Sequence, residues 1–218
     1  MNRHFRFIRK TASSILMSSS EVLSLHYLHK TAITLVATLV GTISVSGTAE
    51  AIDINWIAGT GDWENDSNWS NGFGSIVPDE DTFAFVDNGG TAQVQTTDSV
   101  AGYVYIGNVN SGSLDIFGGG QLESFYNNVI GGNAGSSGAV TVDGIGSSWQ
   151  LAGSSASLDV GASGEGILTI TNGGEVLNAD SFLSTSIGDN AGSSGTVTVN
   201  GAGSKLTNIN AGIFVGNS

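Results

Sequence analysis

The stretch "AGSSGAVTVDGIGSSW" at 134–149 returns 57 residues later as "AGSSGTVTVNGAGSKL" at 191–206. Each copy joins a Gly-Ser-Ser-Gly segment to a run in which Val alternates with Thr. Alternation of period two places successive side chains on opposite faces of a β-strand. Because glycine-rich segments are typical of turns, we interpret "GSSG" as a corner. A phosphate-binding loop is not expected, since neither copy opens a helix or ends in Gly-Lys-Ser/Thr.

Related units surround both copies. Each unit opens with Ile or Val followed by Gly, then has a polar loop, a short alternating strand and a Gly-containing turn. Four full units and the start of a fifth begin at Ile106, Ile130, Val160, Ile187 and Val215. The spacings between these residues are 24, 30, 27 and 28 residues. Spacings of this size correspond to one or two turns of a solenoid.

The repetition predicts an all-β chain that forms a parallel β-helix. No helical periodicity separates the strands, which argues against βαβ units. A β-sandwich does not require successive segments to resemble one another, whereas every solenoid turn stacks on a near copy of itself. Stacking would place Val140 and Val142 in the same inward columns as Val197 and Val199, with Leu168 and Ile170 between them. Trp149 would close the turn.

The first 51 residues are predicted to be an extended signal peptide. A long basic start precedes the apolar run "TAITLVATLVGTISVSG" at 31–47, and small residues follow at Ala49 and Ala51, where a signal peptidase requires them. The apolar run is short and rich in Thr and Ser, which disfavours an uncleaved membrane anchor. We expect cleavage after Ala51.

Composition after residue 51 excludes several classes of function. The segment 52–218 has 17 Asp and Glu residues against one basic residue, Lys205, for a formal charge of −16, and it contains no His or Cys. Nucleic-acid binding needs Lys or Arg for phosphate contacts and is not expected. A Ser-His-Asp triad, a Cys nucleophile and a His/Cys zinc site are also excluded. We predict no catalytic residue, no metal site and no cofactor.

Over residues 106–218 the repeats resemble the Gly-rich repeats of autotransporter (type V secretion) passengers and of exported proteins that carry a PEP-CTERM sorting signal. The layout of the long leader is also similar to the extended signal peptides of autotransporters. The resemblance implies a right-handed β-helical stalk, displayed on or released from a Gram-negative cell and associated with its outer membrane. No C-terminal run of membrane-barrel strands is present, and the chain ends at "VGNS". We therefore expect the repeats to be truncated, with membrane contact only through the signal peptide or a missing barrel.

Residues 52–105 are predicted to form an N-terminal aromatic cap and the first strands. The segment is similar to the opening of such passengers and carries Trp56, Trp63 and Trp69. A solenoid needs its end covered, since an open end exposes apolar side chains and unpaired backbone groups. The alternative for the three indoles is a glycan contact, because flat aromatic faces suit sugar rings.

The remaining acidic residues and Ser204–Lys205 give only weak indications of a functional site. The consecutive acids of "PDEDTF", Asp79–Asp81, alternate sides in an extended chain, so a solvated loop is favoured over a calcium contact or catalysis. Asp143, Asp159 and Asp189 lie near turns, where Asp is common. A Ser204–Lys205 dyad would rest on one unrepeated lysine, which is expected to be exposed.

The predicted function is therefore a non-enzymatic passenger or stalk in adhesion, biofilm or surface-layer formation. Its ligands would be host-surface or extracellular polysaccharides or proteins. Two alternatives remain: a β-helical polysaccharide lyase or hydrolase with convergent Asp or Glu residues in a groove, and a carbohydrate-binding module that uses the three tryptophans.

Overall fold

The computed structural model describes residues 36–37, 43–44, 51–153, 155–179, 184–209 and 211–216. The chain divides into two units, 1–50 and 51–218. In the first unit, β1 (Val36–Ala37) and β2 (Ile43–Ser44) pair antiparallel. The rest of that unit, including the predicted cleavage-site residue Ala49, lies outside the described residues.

The second unit is all-β, and its strands build three sheets that stack into a β-solenoid of about six turns. Sheet 1 contains β3 (Ile52–Trp56), β6 (Thr82–Val86), β9 (Tyr103–Ile106), β12 (Asn127–Ile130), β15 (Ser157–Val160), β18 (Thr185–Ile187) and β21 (Ile213–Val215), with β5 (Trp69–Ser70) at its edge. Sheet 2 contains β4 (Thr60–Asp62), β7 (Thr91–Val94), β10 (Ser111–Phe117), β13 (Ser137–Asp143), β16 (Glu165–Thr171) and β19 (Ser194–Asn200). Sheet 3 contains β8 (Ser99–Ala101), β11 (Gln121–Ser124), β14 (Ser148–Leu151), β17 (Glu175–Asn178) and β20 (Lys205–Asn208).

Turns 2 to 6 each take one strand from each sheet in succession, so that turn 2 is β6–β8, turn 3 is β9–β11, turn 4 is β12–β14, turn 5 is β15–β17 and turn 6 is β18–β20. Turn 1 consists of β3 in sheet 1 and β4 in sheet 2, followed by β5, which returns to the edge of sheet 1. The residues that open the repeats pair with one another along sheet 1, in one column formed by Val86, Ile106, Ile130, Val160, Ile187 and Val215. One sequence repeat is therefore one turn, and the predicted parallel β-helix is confirmed.

The predicted inward columns are also confirmed. In sheet 2, Val140 pairs with Leu168, which pairs with Val197. The neighbouring column continues through Val142 in the same register. Val199, at the end of that column, is 46% exposed because β19 has a partner on only one side among the described strands. Trp149 is buried in sheet 3 as expected, and its indole N–H donates to Ser124 Oγ at 3.0 Å.

The corner between sheets 1 and 2 leaves no room for side chains at two columns of glycine. Gly131 follows Ile130 with φ +75°, and a Cβ there would lie 2.2 Å from the carbonyl oxygen of Glu165 in the next turn. Gly138 faces it from sheet 2, where a Cβ would lie 2.0 Å from the carbonyl oxygen of Ile106 in the previous turn. In the repeats that open at Ile106, Ile130 and Val160, the glycine of the "Ile/Val-Gly" opening is thus a close-packing requirement between turns.

The 57-residue spacing between the copies at 134–149 and 191–206 has a physical cause. The copies occupy turns 4 and 6, and two kinds of corner alternate from turn to turn where the chain passes from sheet 2 to sheet 3. In turn 4, Ser147 Oγ accepts a hydrogen bond from Gly119 N of turn 3 at 3.1 Å. Ser204 Oγ of turn 6 accepts one from Gly173 N of turn 5 at 3.0 Å. The hydroxyl group of each serine corner thus accepts a hydrogen bond from the backbone of the glycine corner in the preceding turn. The larger repeat therefore spans two turns.

The glycine corner can be tested by replacing Gly131 with Ala. The variant combines an unfavourable positive φ with the backbone clash, and we expect a loss of more than about 3 kcal/mol in the free energy of unfolding. Gly135→Ala is the matched control, because Gly135 has φ +86° and open space around a Cβ. Its loss should be about 1–2 kcal/mol. Equal losses in urea or thermal unfolding would show that the clash is relieved at no cost.

Candidate functional site

The three tryptophans proposed as a cap or a glycan contact are buried together at the N-terminal end of the solenoid. Trp69 packs edge-to-face against Trp56 and Trp63, with ring centroids 4.9 and 4.7 Å apart. Its Nε1 donates to the carbonyl oxygen of Trp63 at 2.7 Å. β5 pairs antiparallel with β3 and thereby covers the outer edge of sheet 1. None of the indoles presents a face to solvent, which stacking on a sugar requires.

The acids of "PDEDTF" are engaged in a local turn that leads into β6. Asp79 Oδ1 accepts from the backbone N–H of Asp81 at 3.1 Å, and Thr82 Oγ1 donates to the Asp79 carbonyl oxygen at 2.8 Å. Elsewhere, Asp143 Oδ1 accepts from Asn172 Nδ2 at 2.7 Å. Among the described residues, no group of three or more His, Cys, Asp or Glu side chains is placed to hold a metal ion.

Ser204 and Lys205 do not form a dyad. The Ser204 hydroxyl donates to the Asn200 carbonyl oxygen at 2.7 Å, and Lys205 Nζ forms an exposed ion pair with Glu175 at 3.0 Å. The expectation of an exposed lysine is confirmed. The pairing joins adjacent strands of sheet 3, where Glu175 lies directly opposite Lys205.

A stack of aromatic rings covers the outer face of sheet 1 in turns 2 to 4. The repeat pattern of the sequence does not predict this stack. Phe83 stacks on Tyr103 with ring centroids 4.0 Å apart, and Tyr103 stacks on Tyr126 at 4.6 Å. Phe85 stacks on Tyr105 at 4.9 Å in a parallel row. Because the rings stack along the solenoid axis, their faces cover one another. Tyr126, at the end of its row, is 39% exposed.

Carboxylates flank this stack on the same sheet. Asp53 pairs with Phe83 from turn 1, and Asp159 pairs with Val129, which pairs with Tyr105. Burial raises the pKa of Tyr105, and the charges of Tyr103, Asp159 and Asp53 raise it further. Both acids thus act electrostatically on the aromatic rows. We call the five stacked rings together with Asp53 and Asp159 the aromatic–acidic face.

Asp159 is the described carboxyl group with the most perturbed environment. Burial, with the carboxylate of Asp189 nearby, raises the pKa of Asp159 to about 6, while hydrogen bonds from Ser186 and Asn127 oppose the shift. Asp189 lies in the following turn, where its backbone N–H donates to the Gly161 carbonyl oxygen at 3.1 Å. The two carboxylates therefore lie in successive turns and repel each other.

Two shallow hollows, of about 180 and 270 Å³, lie on the outer face of sheet 2. The first is lined mainly by small residues such as Ser111, Ser137 and Ala139, and the second by Gln93, Asp115 and Thr141. Ligand sites of about 300–1,000 Å³ that enclose most of a small molecule are larger.

Comparison with protein-family models, curated proteins and solved structures finds no match. Within the described part of the chain, no helix has the length and apolar character needed to cross a bilayer.

Asp159 should make stability depend on pH. Its folded-state pKa lies above the unfolded value, so folding favours the protonated form, and stability falls as pH rises from about 4 to about 6. Above that range the penalty is constant, on the order of 3 kcal/mol. Asp159→Asn removes the charge and should raise the unfolding temperature at pH 8 but have little effect at pH 4. Glu123→Gln, an outward-facing acid of sheet 3, makes the same change in net charge. Equal gains in both variants would contradict the assignment.

Proposed function

We propose that the chain is an exported, non-enzymatic β-helical stalk or passenger segment, displayed on or released from a Gram-negative cell and acting in adhesion or in biofilm or surface-layer formation. The observation that carries the proposal is the solenoid itself. Its repeated turns supply long, regular outer faces, and the two hollows described on sheet 2 are shallow. A solenoid of stacked turns suits the display of a surface at a distance from the cell.

The leader supports the export part of the proposal. The basic start, the apolar run at 31–47 and the small residues at Ala49 and Ala51 fit recognition and cleavage by a signal peptidase. The solenoid begins with β3 at Ile52, directly after the predicted cleavage point. Removal of residues 1–51 would therefore leave the described strands of the solenoid intact.

A polysaccharide lyase or hydrolase would need at least two carboxylates that converge in a groove. Asp159 and Asp189 interact, but Asp159 points outward from a strand of sheet 1 and neither described hollow includes it. The geometry supports the display function better than catalysis.

Export is tested by expressing the full chain in a Gram-negative host and determining the N-terminus of the product found outside the cytoplasm. We expect a product that begins at Ile52. Ala49→Asp and Ala51→Asp should abolish cleavage, because the peptidase requires small residues there. Glu50→Gln, between them, is the matched control and should be processed normally. Retention of the uncleaved chain in the cytoplasm for the unmodified sequence would overturn the proposal.

A further inference from the structure

We propose that the aromatic–acidic face of sheet 1 is a docking surface for a cationic polypeptide segment, an extended stretch rich in Arg or Lys. The inference deepens the display function by naming a class of partner. It concerns the folded solenoid alone, so its test in purified protein can fail while export succeeds.

Charge complementarity is the first argument. Asp53 in turn 1 and Asp159 in turn 5 bracket the aromatic rows, and the charges of both act on Tyr105 between them. Lys205 is the one cationic side chain described within 51–218, and it lies on sheet 3 paired with Glu175. The negative potential on sheet 1 is therefore available to an external cation.

The end of the aromatic stack supplies the second argument. Tyr126 stacks on Tyr103 on one side only, and it keeps 39% of its surface exposed. In the next turn, Ser157 and Asp159 face outward from the same sheet. A guanidinium or ammonium group over the Tyr126 ring would gain a cation–π contact, and Asp159 lies on the same sheet one turn further along.

The dimensions fit an extended chain that crosses the strands. Neighbouring strands lie about 4.8 Å apart, so the five turns from Asp53 to Asp159 span roughly 19 Å. An extended peptide of about six residues covers this length. The aliphatic stems of Lys and Arg can pack along the ring edges while their charged ends reach the two acids.

A neutral polysaccharide fits this surface less well. Sugars stack on ring faces, and here both faces of Tyr103 and one face each of Phe83, Phe85 and Tyr105 are covered by stacking within the rows. The exposed ring edges carry the positive side of the aromatic quadrupole. Carboxylates at both ends add charge that a neutral sugar does not require.

The test measures binding of fluorescently labelled octa-arginine to the purified chain by anisotropy. The variant Asp53→Asn/Asp159→Asn should weaken binding about tenfold or more, because both ends of the surface lose their charge. The control Glu123→Gln/Glu165→Gln makes the same change in net charge on sheets 2 and 3 and should weaken binding less than about threefold. Tyr126→Phe should retain binding, whereas Tyr126→Ala should lower it, since the ring rather than the hydroxyl makes the contact.

Three results would overturn the proposal. Equal losses in the two double variants would show that octa-arginine binds the diffuse charge of the whole chain. Retention of full affinity by both Asp53→Asn/Asp159→Asn and Tyr126→Ala would place binding elsewhere. Saturable binding of cellohexaose that is lost in Tyr126→Ala, without specific binding of octa-arginine, would assign the face to a polysaccharide. Circular dichroism and thermal unfolding confirm that each variant folds. If the Asp53→Asn/Asp159→Asn variant does not fold, the single variant Asp53→Asn, at a surface position of turn 1, replaces it in the binding measurement.

Discussion

The corner between sheets 1 and 2 is the constraint on which the remaining structure depends. Gly131 and Gly138 lie so close to the backbone of adjacent turns that a methyl group at either position would overlap a carbonyl group. This approach lets β10, β13, β16 and β19 start at the same register position in sheet 2. Register, and with it the separation of inward from outward side chains, follows from the corner.

Residues that repeat were predictable because each has to meet the same environment in every turn. The pairing of Val140 with Leu168 follows from matching positions after a glycine corner, and the burial of Trp149 follows from its place in the third strand. The three tryptophans placed before the repeats are buried and pack against one another. In each case the sequence pattern and the packing requirement coincide.

The aromatic rows of sheet 1 could not be predicted from repeated residues in the same way. They begin in turn 2, where the residue after Val86 is Asp87 instead of the glycine that opens the later repeats. The Asp87 carboxylate accepts from the backbone N–H groups of Val109 and Asn110 at 2.8–3.1 Å and orders that corner by another means. Without the glycine marker, the register that brings Phe83 over Tyr103 depends on contacts between turns, which a local pattern does not contain.

Distribution of charge explains how so acidic a chain can stack its turns. Strand neighbours lie about 4.8 Å apart, where two carboxylates would repel by about 1–3 kcal/mol. No described pair of solenoid strands sets two acids directly opposite; Asp115, for example, lies between Gln93 and Thr141. Asp159 obeys the same rule within sheet 1, where its neighbour is Ser186, but Asp189 approaches it from the loop that follows. The perturbed carboxyl group therefore arises where the chain leaves the regular ladder, because Asp189 lies outside the pairing that keeps acids apart elsewhere.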